Sequence, residues 1–150
     1  MLRRITKELA GWLKEVHGID PHDIPYQIND GGIYLKDAAV MTGLGVIGKN
    51  NLLIVPFYGP RIRFRALWID LEPPEPSTSQ KPLFCEECNS PCHIKCPMNA
   101  FFDGKYHREK CMERMNGNKK RASKNSLETG ISRPVDHCRI CELVCPGIRK

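Results

Sequence analysis

The sequence predicts an α+β fold in which a small N-terminal α/β part with a β-hairpin precedes a helical, cysteine-rich module. Three observations support this prediction. Apolar residues recur at helical spacing near the N-terminus, two short apolar runs follow in the middle of the chain, and all eight cysteines lie beyond residue 84. We expect three segments, which are residues 1–72, a linker at residues 73–82, and residues 83–150.

The first predicted element is an amphipathic helix. Its apolar residues repeat at helical spacing, and Gly18 predicts its end; they are Leu2, Ile5, Leu9, Trp12, Leu13 and Val16. We expect this apolar side to face the core. Asn29-Asp30-Gly31-Gly32 predicts a turn, after which residues 33–42 suit a short helix that ends at Gly43.

Two strands and a linker are predicted next. Residues 51–57 are rich in Leu, Ile and Val, which is typical of a buried strand. In residues 61–68, apolar side chains alternate with arginines, which also predicts a strand. Tyr58-Gly59-Pro60 separates the two runs, so we expect them to form the hairpin. Residues 73–82 are rich in Pro and Ser, which predicts the linker.

Hydropathy and charge narrow the classes of function. No apolar run reaches the roughly 18 residues of a membrane helix, and the charged N-terminus has no secretory signal. We therefore expect a cytoplasmic protein without membrane contact, whose cysteines stay reduced and bind metal. The net charge of +6 arises from residues 97–150, because residues 1–96 are balanced. This basic region either offsets negatively charged metal centres or attracts nucleic acid or an acidic electron-donor protein.

The cysteines form two runs that end alike. The first is Cys85-x2-Cys88-x3-Cys92-x3-Cys96-Pro97, and the second is Cys111 followed, after a long gap, by Cys138-x2-Cys141-x3-Cys145-Pro146. In two-cluster ferredoxins, the cysteine before the proline binds the cluster of the other run. The spacing therefore predicts a ferredoxin-like module with two [4Fe–4S] clusters. The first cluster takes Cys85, Cys88, Cys92 and Cys145, and the second takes Cys96, Cys111, Cys138 and Cys141.

The motif departs from the ferredoxin pattern in two ways, and a second metal is an alternative. Three residues separate Cys88 from Cys92 where ferredoxins have two. In the second run, Cys111 lies far upstream of Cys138. The polar segment at 116–133 lies between them, and we expect it to be an exposed, aperiodic excursion. Cys-x2-Cys pairs also build zinc ribbons, so a zinc-stabilised RNA-binding protein is an alternative. Nearby histidines are unnecessary as ligands, since eight thiolates fill eight positions; they are His93, His107 and His137.

A glycine-rich segment, Gly43-Leu44-Gly45-Val46-Ile47-Gly48-Lys49-Asn50, resembles a dinucleotide-binding fingerprint but has the wrong context. That fingerprint follows a strand and opens a helix, whereas this segment follows a predicted helix and precedes a predicted strand. Two interpretations remain. The glycines form a tight turn between these elements, or they bring backbone close to a large planar cofactor with Lys49 near an anionic group.

The stretches LKDAAVMTGLGVIGKNNLLI and YGPRIRFRALWID, with the two Cys-Pro runs, resemble the epoxyqueuosine reductase family, which is related in layout to reductive dehalogenases. The resemblance covers roughly residues 28–146. It implies a cobalamin-dependent oxidoreductase of tRNA modification, in which low-potential electrons pass through two [4Fe–4S] clusters to a bound cobalamin. It also implies Asp30 as the catalytic proton donor, and a cobalamin site lined by Gly43, Gly45, Gly48, Lys49 and Asn50.

The same resemblance implies the partners. We expect an electron-donor protein such as ferredoxin or flavodoxin, and a tRNA substrate. The alternative from a different class is a ferredoxin-like electron-transfer module that has no catalytic site of its own.

Overall fold

The computed structural model describes residues 2–72, 85–130, 135 and 137–147. The chain divides into two compact units, Met1–Val46 with Ile62–Pro82, and Ile47–Arg61 with Leu83–Lys150. Helices and small sheets occur together, so the predicted α+β class is confirmed. The predicted linker at residues 73–82 lies outside the described residues, and the predicted division into three segments stays a prediction. Within the described ranges, no helix is both long enough and apolar enough to cross a membrane.

The first unit contains α1 (Leu2–His17), a 3₁₀ turn at Ile28–Asp30, and α2 (Leu35–Met41). Both predicted helices are confirmed, and so are their ends. Gly18 and Gly43 follow them with φ values of +67° and +73°, a backbone conformation that favours glycine.

The packing of α1 differs from the prediction of a core-facing apolar side. Trp12 is 50% exposed and Val16 is 60% exposed, whereas Thr6 is only 9% exposed. The Thr6 hydroxyl donates a hydrogen bond to the Leu2 carbonyl at 3.0 Å, which satisfies the buried oxygen. Ala10 is half-buried on the same side. The packed side of α1 is therefore centred on small residues, away from the middle of the apolar stripe.

Within the described residues, four two-residue strands form two sheets. The strands are β1 (His22–Asp23), β2 (Val46–Ile47), β3 (Leu53–Ile54) and β4 (Leu67–Trp68). β1 pairs antiparallel with β4, and β2 is the neighbour of β3. The predicted hairpin between residues 51–57 and 62–68 is therefore wrong, although each segment does contain a strand. A tight turn closed by the Gly48 amide on the Leu52 carbonyl, at 2.9 Å, gives β3 a local partner instead.

The described part of the second unit contains three helices, which are α3 (Pro91–Ile94), α4 (Arg108–Thr129) and α5 (Ile140–Leu143). The short helices α3 and α5 pack against each other. Cys92 lies on α3 and Cys141 lies on α5, so each cysteine run has one member on a short helix. The ferredoxin-like character of this module stays a prediction.

The helix α4 overturns the prediction of an aperiodic excursion at residues 116–133. Helix continues to Thr129, and Gly130 ends it with φ +66°. The segment lacks apolar periodicity because it is exposed on most sides, as Leu127 at 87% exposure illustrates. It is nevertheless rich in good helix formers, and Lys124 pairs with Glu128 one turn later at 3.7 Å. Residues 131–133 lie outside the described part of the chain.

Candidate metal centre

Four thiols of the second unit lie near one another and come from both cysteine runs. Cys85 and Cys145, each 8% exposed, form a buried cluster with Ile54. Burial raises the pKa of the Cys92 thiol, and the neighbouring Cys145 and Cys85 raise it further. Burial also raises the pKa of Cys145, and Cys85 and Cys88 add to that effect. We call these four residues, Cys85, Cys88, Cys92 and Cys145, the first cysteine group.

The other four thiols form a second set of neighbours. Burial raises the pKa of the Cys141 thiol to about 11, and nearby Cys111, Cys138 and Cys96 each contribute. The backbone amide of Ala100 donates a hydrogen bond to Cys96 Sγ at 3.3 Å. We call these four residues, Cys96, Cys111, Cys138 and Cys141, the second cysteine group.

The two groups contain the same residues as the two predicted ligand sets. Cys96 belongs to the first run but lies with the second group, and Cys145 does the reverse. All eight cysteines are free thiols. Among the described residues, no three metal-binding side chains lie close enough together to hold a single metal ion. The role of these thiols as cluster ligands stays a prediction.

Local structure explains why each run divides between two groups. In the first run, the Cys88 amide bonds the Cys85 carbonyl at 3.4 Å, which keeps these two residues on one turn. Pro91 then occupies the first position of α3, where its missing N–H is not needed. α3 ends at Ile94, so Cys96 leaves the helix and lies with the other group. The same arrangement recurs at α5, where Cys141 is helical and Cys145 lies beyond the helix.

The donor set of both groups fits a cationic metal centre. Partly buried thiolates lose solvation and repel one another, and both effects raise the pKa values given above. Coordination to metal removes both penalties, because the bound sulfur is deprotonated and faces a positive charge. Hydrogen bonds to cluster sulfurs also tune the potentials of [4Fe–4S] centres.

Sequence reasoning missed two groups that contact these sulfurs. One is the Ala100 amide on Cys96, and the other is the phenol of Tyr106, whose pKa is raised by burial and by a hydrogen bond to Cys111. A backbone amide has no sequence signal, and Tyr106 lies outside the spacing motif. Arg61 was also missed, and its guanidinium donates to the Leu143 carbonyl at 3.1 Å.

The glycine-rich segment has contacts within the chain. Gly43 and Gly45 lie in the first unit, whereas Gly48, Lys49 and Asn50 lie in the second. A Cβ on Gly48 would come within 2.4 Å of Ile54 Cδ1, so a larger residue there requires the Ile54 side chain to shift. Lys49 Nζ donates to the Cys88 carbonyl at 3.4 Å, and Asn50 Nδ2 donates to the Cys141 carbonyl at 3.3 Å. The assignment of these five residues to a cobalamin site stays a prediction.

Asp30 lies in the first unit, exposed at the end of the 3₁₀ turn, and lines an open cavity of about 730 Å³. The lining is mixed, and its charged residues are mainly cationic and include Arg3, Lys7 and Arg65. Arg65 Nη2 bonds both carboxylate oxygens of Asp23, at 2.6 and 2.8 Å. The cavity size is that of a small-molecule site, but the catalytic role of Asp30 stays a prediction.

Three relatives carry similar sequences. The epoxyqueuosine reductase of Lactococcus garvieae (strain Lg2) is 28% identical over 97% of this chain and 40% of its own length. The epoxyqueuosine reductase of Listeria monocytogenes serovar 1/2a is 32% identical over 75% of this chain and 29% of its own length. The tetrachloroethene reductive dehalogenase of Desulfitobacterium hafniense is 40% identical over 48% of this chain and 13% of its own length.

The chain spans less than half the length of each of these relatives. No family model matches it, and no solved structure matches it. The sequence of this chain is related to those of epoxyqueuosine reductases over most of its length and to those of reductive dehalogenases over about half, so the resemblance predicted from its motifs is confirmed.

Proposed function

We propose that this chain is an iron–sulfur oxidoreductase that holds two [4Fe–4S] clusters and delivers low-potential electrons to a bound cobalamin. The observation that carries the proposal is the division of eight free thiols into two groups of four, each drawn from both cysteine runs. That division is the assignment of cysteine ligands expected of a two-cluster protein. The relatives favour neither the zinc-stabilised RNA-binding alternative nor the plain electron-carrier module.

In this proposal the first cysteine group holds one cluster and the second cysteine group holds the other. Bound clusters supply one-electron transfer at potentials set by burial and by hydrogen bonds to their sulfurs. The residues of the chain set those conditions. The Ala100 amide donates to Cys96, and the Tyr106 phenol bonds Cys111, so the second group has donors that stabilise negative charge on sulfur.

The cobalamin part of the proposal rests on the family resemblance. Lys49 fits a contact with an anionic group, because it is exposed and its bond to the Cys88 carbonyl is long, at 3.4 Å. Asn50 fits less well, since it is 3% exposed and both ends of its amide are engaged within the chain. Asp30 is the proposed proton donor, and its exposed position on the cavity wall leaves its carboxyl accessible to a substrate.

The basic helix α4 supports the proposed partners. It carries seven Lys or Arg residues against three Glu residues, and most of them are exposed. Such a surface attracts an acidic electron donor of the ferredoxin or flavodoxin kind, and it also attracts tRNA phosphates. Electron transfer from the donor should therefore slow as ionic strength rises.

Anaerobic reconstitution with ferrous iron and sulfide tests the cluster proposal. The chain should retain about eight iron and about eight sulfide after desalting, the content of two cubane clusters. Stoichiometric zinc with no acid-labile sulfide in purified protein would contradict the proposal and support the zinc alternative.

Equilibrium dialysis of cluster-loaded protein against cobalamin tests separately whether the chain binds the proposed electron acceptor. Cobalamin binding with a spectral change that reports loss of the lower base supports the proposal. Gly45→Val should weaken this binding, because the valine side chain would fill the space through which cobalamin approaches the backbone. Full cluster loading without cobalamin uptake would instead favour the electron-carrier module.

A further inference from the structure

The turn at residues 48–52, which we call the anchor turn, contacts the first cysteine run at two points, one of which is Cys88 of the first cysteine group. The carbonyl oxygen of Lys49 lies 2.8 Å from His93 Nε2, and Lys49 Nζ donates to the carbonyl of Cys88 at 3.4 Å. Because a carbonyl oxygen only accepts, Nε2 of His93 carries the proton in this contact. Lys49 therefore binds residues on both sides of Cys92 in the first run.

The next residue of the anchor turn contacts the second cysteine group. Asn50 Nδ2 donates to the carbonyl of Cys141 at 3.3 Å, and Asn50 Oδ1 accepts from the Leu52 amide at 3.1 Å. The side chain is only 3% exposed. This pair of bonds needs a donor and an acceptor on one short side chain, which Asn supplies and which neither Asp nor Leu supplies.

The anchor turn is itself held in a defined conformation. The Gly48 amide bonds the Leu52 carbonyl, and the Asn51 amide bonds the Gly48 carbonyl, each at 2.9 Å. A Cβ at Gly48 would come within 2.4 Å of Ile54, which packs in the buried cluster with Cys85 and Cys145. A turn with a fixed conformation can hold the groups that it contacts at a fixed separation.

From these contacts we infer that Lys49 and Asn50 are positioning residues that fix the two cysteine groups relative to each other. The inference rests on the proposed function, since the groups are its cluster sites, and it gives the two residues a role that does not require bound cobalamin. Each acts on the backbone of a cysteine rather than on its sulfur. Loss of either contact should change how firmly the cysteine loops hold metal and how the two sites are spaced.

The test compares matched variants of the full chain after anaerobic reconstitution with ferrous iron and sulfide. Asn50→Asp keeps the side-chain size and the acceptor for Leu52 but removes the donor to Cys141. Asn116→Asp makes the same chemical change at an exposed position of α4. The readouts are iron and sulfide content, the rate of iron loss to a chelator, and the magnetic coupling between the reduced centres seen by electron paramagnetic resonance.

We expect Asn50→Asp to lose iron about tenfold faster than Asn116→Asp, the scale for removing a group that supports a metal ligand. We also expect it to alter the coupling between the two centres. Unchanged coupling and an unchanged rate of loss would overturn the inference. An unmodified chain that takes up no clusters would overturn the proposed function instead, so the two failures are distinguishable.

A second pair of variants covers the case in which Asn50→Asp does not fold by circular dichroism. Lys49→Met removes the Cys88 contact while keeping the aliphatic stem, and His93→Phe removes the contact to the Lys49 carbonyl while keeping an aromatic ring. The double variant should show faster iron loss and altered coupling. Lys119→Met on α4 is the control, and a double variant that matches this control would overturn the inference.

Discussion

The imidazole of His93 stacks on the ring of Phe101, with centroids 4.4 Å apart and planes 2° from parallel. The ring of Phe101 is 5% exposed, whereas that of its neighbour Phe102 is 55% exposed. Phe101→Ala should therefore lower the free energy of unfolding by about 3 kcal/mol, and Phe102→Ala by about 1 kcal/mol or less. Urea unfolding of the two anaerobic proteins measures the difference. Because Phe102 also stacks on a histidine, His107, at 4.3 Å, the difference reports burial of the Phe101 ring, and equal losses would mean that this burial does not stabilise the unit.

The crossed grouping of cysteines makes a prediction about single serine variants. Cys96→Ser should damage the centre formed by the second cysteine group, although Cys96 lies in the first run. Cys145→Ser should damage the centre of the first group. Electron paramagnetic resonance of the reduced variants distinguishes the two centres. If Cys96→Ser disturbs only the centre that contains Cys85, each run binds its own cluster and the crossed assignment is wrong.

Two glycines should respond in opposite directions to the same substitution. Gly48→Ala places a methyl group 2.4 Å from Ile54 Cδ1, so it should destabilise the chain by about 1–3 kcal/mol. Gly117 lies inside α4 with no atom near its missing Cβ, so Gly117→Ala should stabilise by about 1 kcal/mol through helix propensity. Thermal or urea unfolding measures both. A neutral Gly48→Ala would show that Ile54 can move aside.

An exposed ion pair after α1 makes a prediction about pH. Lys14 Nζ donates to Asp20 Oδ1 at 2.9 Å, which holds the pKa of Asp20 below its ordinary value. Since the folded pKa is lower than the unfolded one, the pair stabilises the fold above about pH 4 and loses that effect as pH falls through the folded pKa. Lys14→Met should raise the pKa of Asp20 in an NMR titration. Lys7→Met is the control and should leave it unchanged.

Much of the local structure follows from short sequence signals. The helix α1 was predictable because an apolar repeat marks its body, and α2 because a turn signal precedes it; a glycine marks the end of each, Gly18 and Gly43, and both have positive φ. The ferredoxin spacing predicts two sets of four cysteines, and their assignment as ligands stays a prediction. That spacing is informative because a four-residue helix ends between Cys92 and Cys96, which separates consecutive cysteines.

Other features had no local signal. Strands of two residues do not specify a partner, so β4 could not be assigned to His22–Asp23 from its alternation alone. The helix α4 is exposed on most sides, and exposure removes the apolar repeat by which a helix is recognised. The bond from Asn50 to Cys141 spans 91 positions and joins a side chain to a backbone carbonyl, which leaves no pattern in either segment.

The long separation between these partners also bears on synthesis at the ribosome. Two residues of the segment 47–61 reach distant partners only when the last cysteines have been made, because Asn50 bonds Cys141 and Arg61 bonds Leu143, 82 positions later. At about 5–20 residues per second, the wait is roughly 5–20 seconds. During that interval Ile54, which is 4% exposed in the folded chain, cannot complete its buried cluster with Cys85 and Cys145. The thiols of the first run are then accessible to oxidants. Slow translation in aerated cells should therefore lower the yield of intact protein more than slow translation without oxygen.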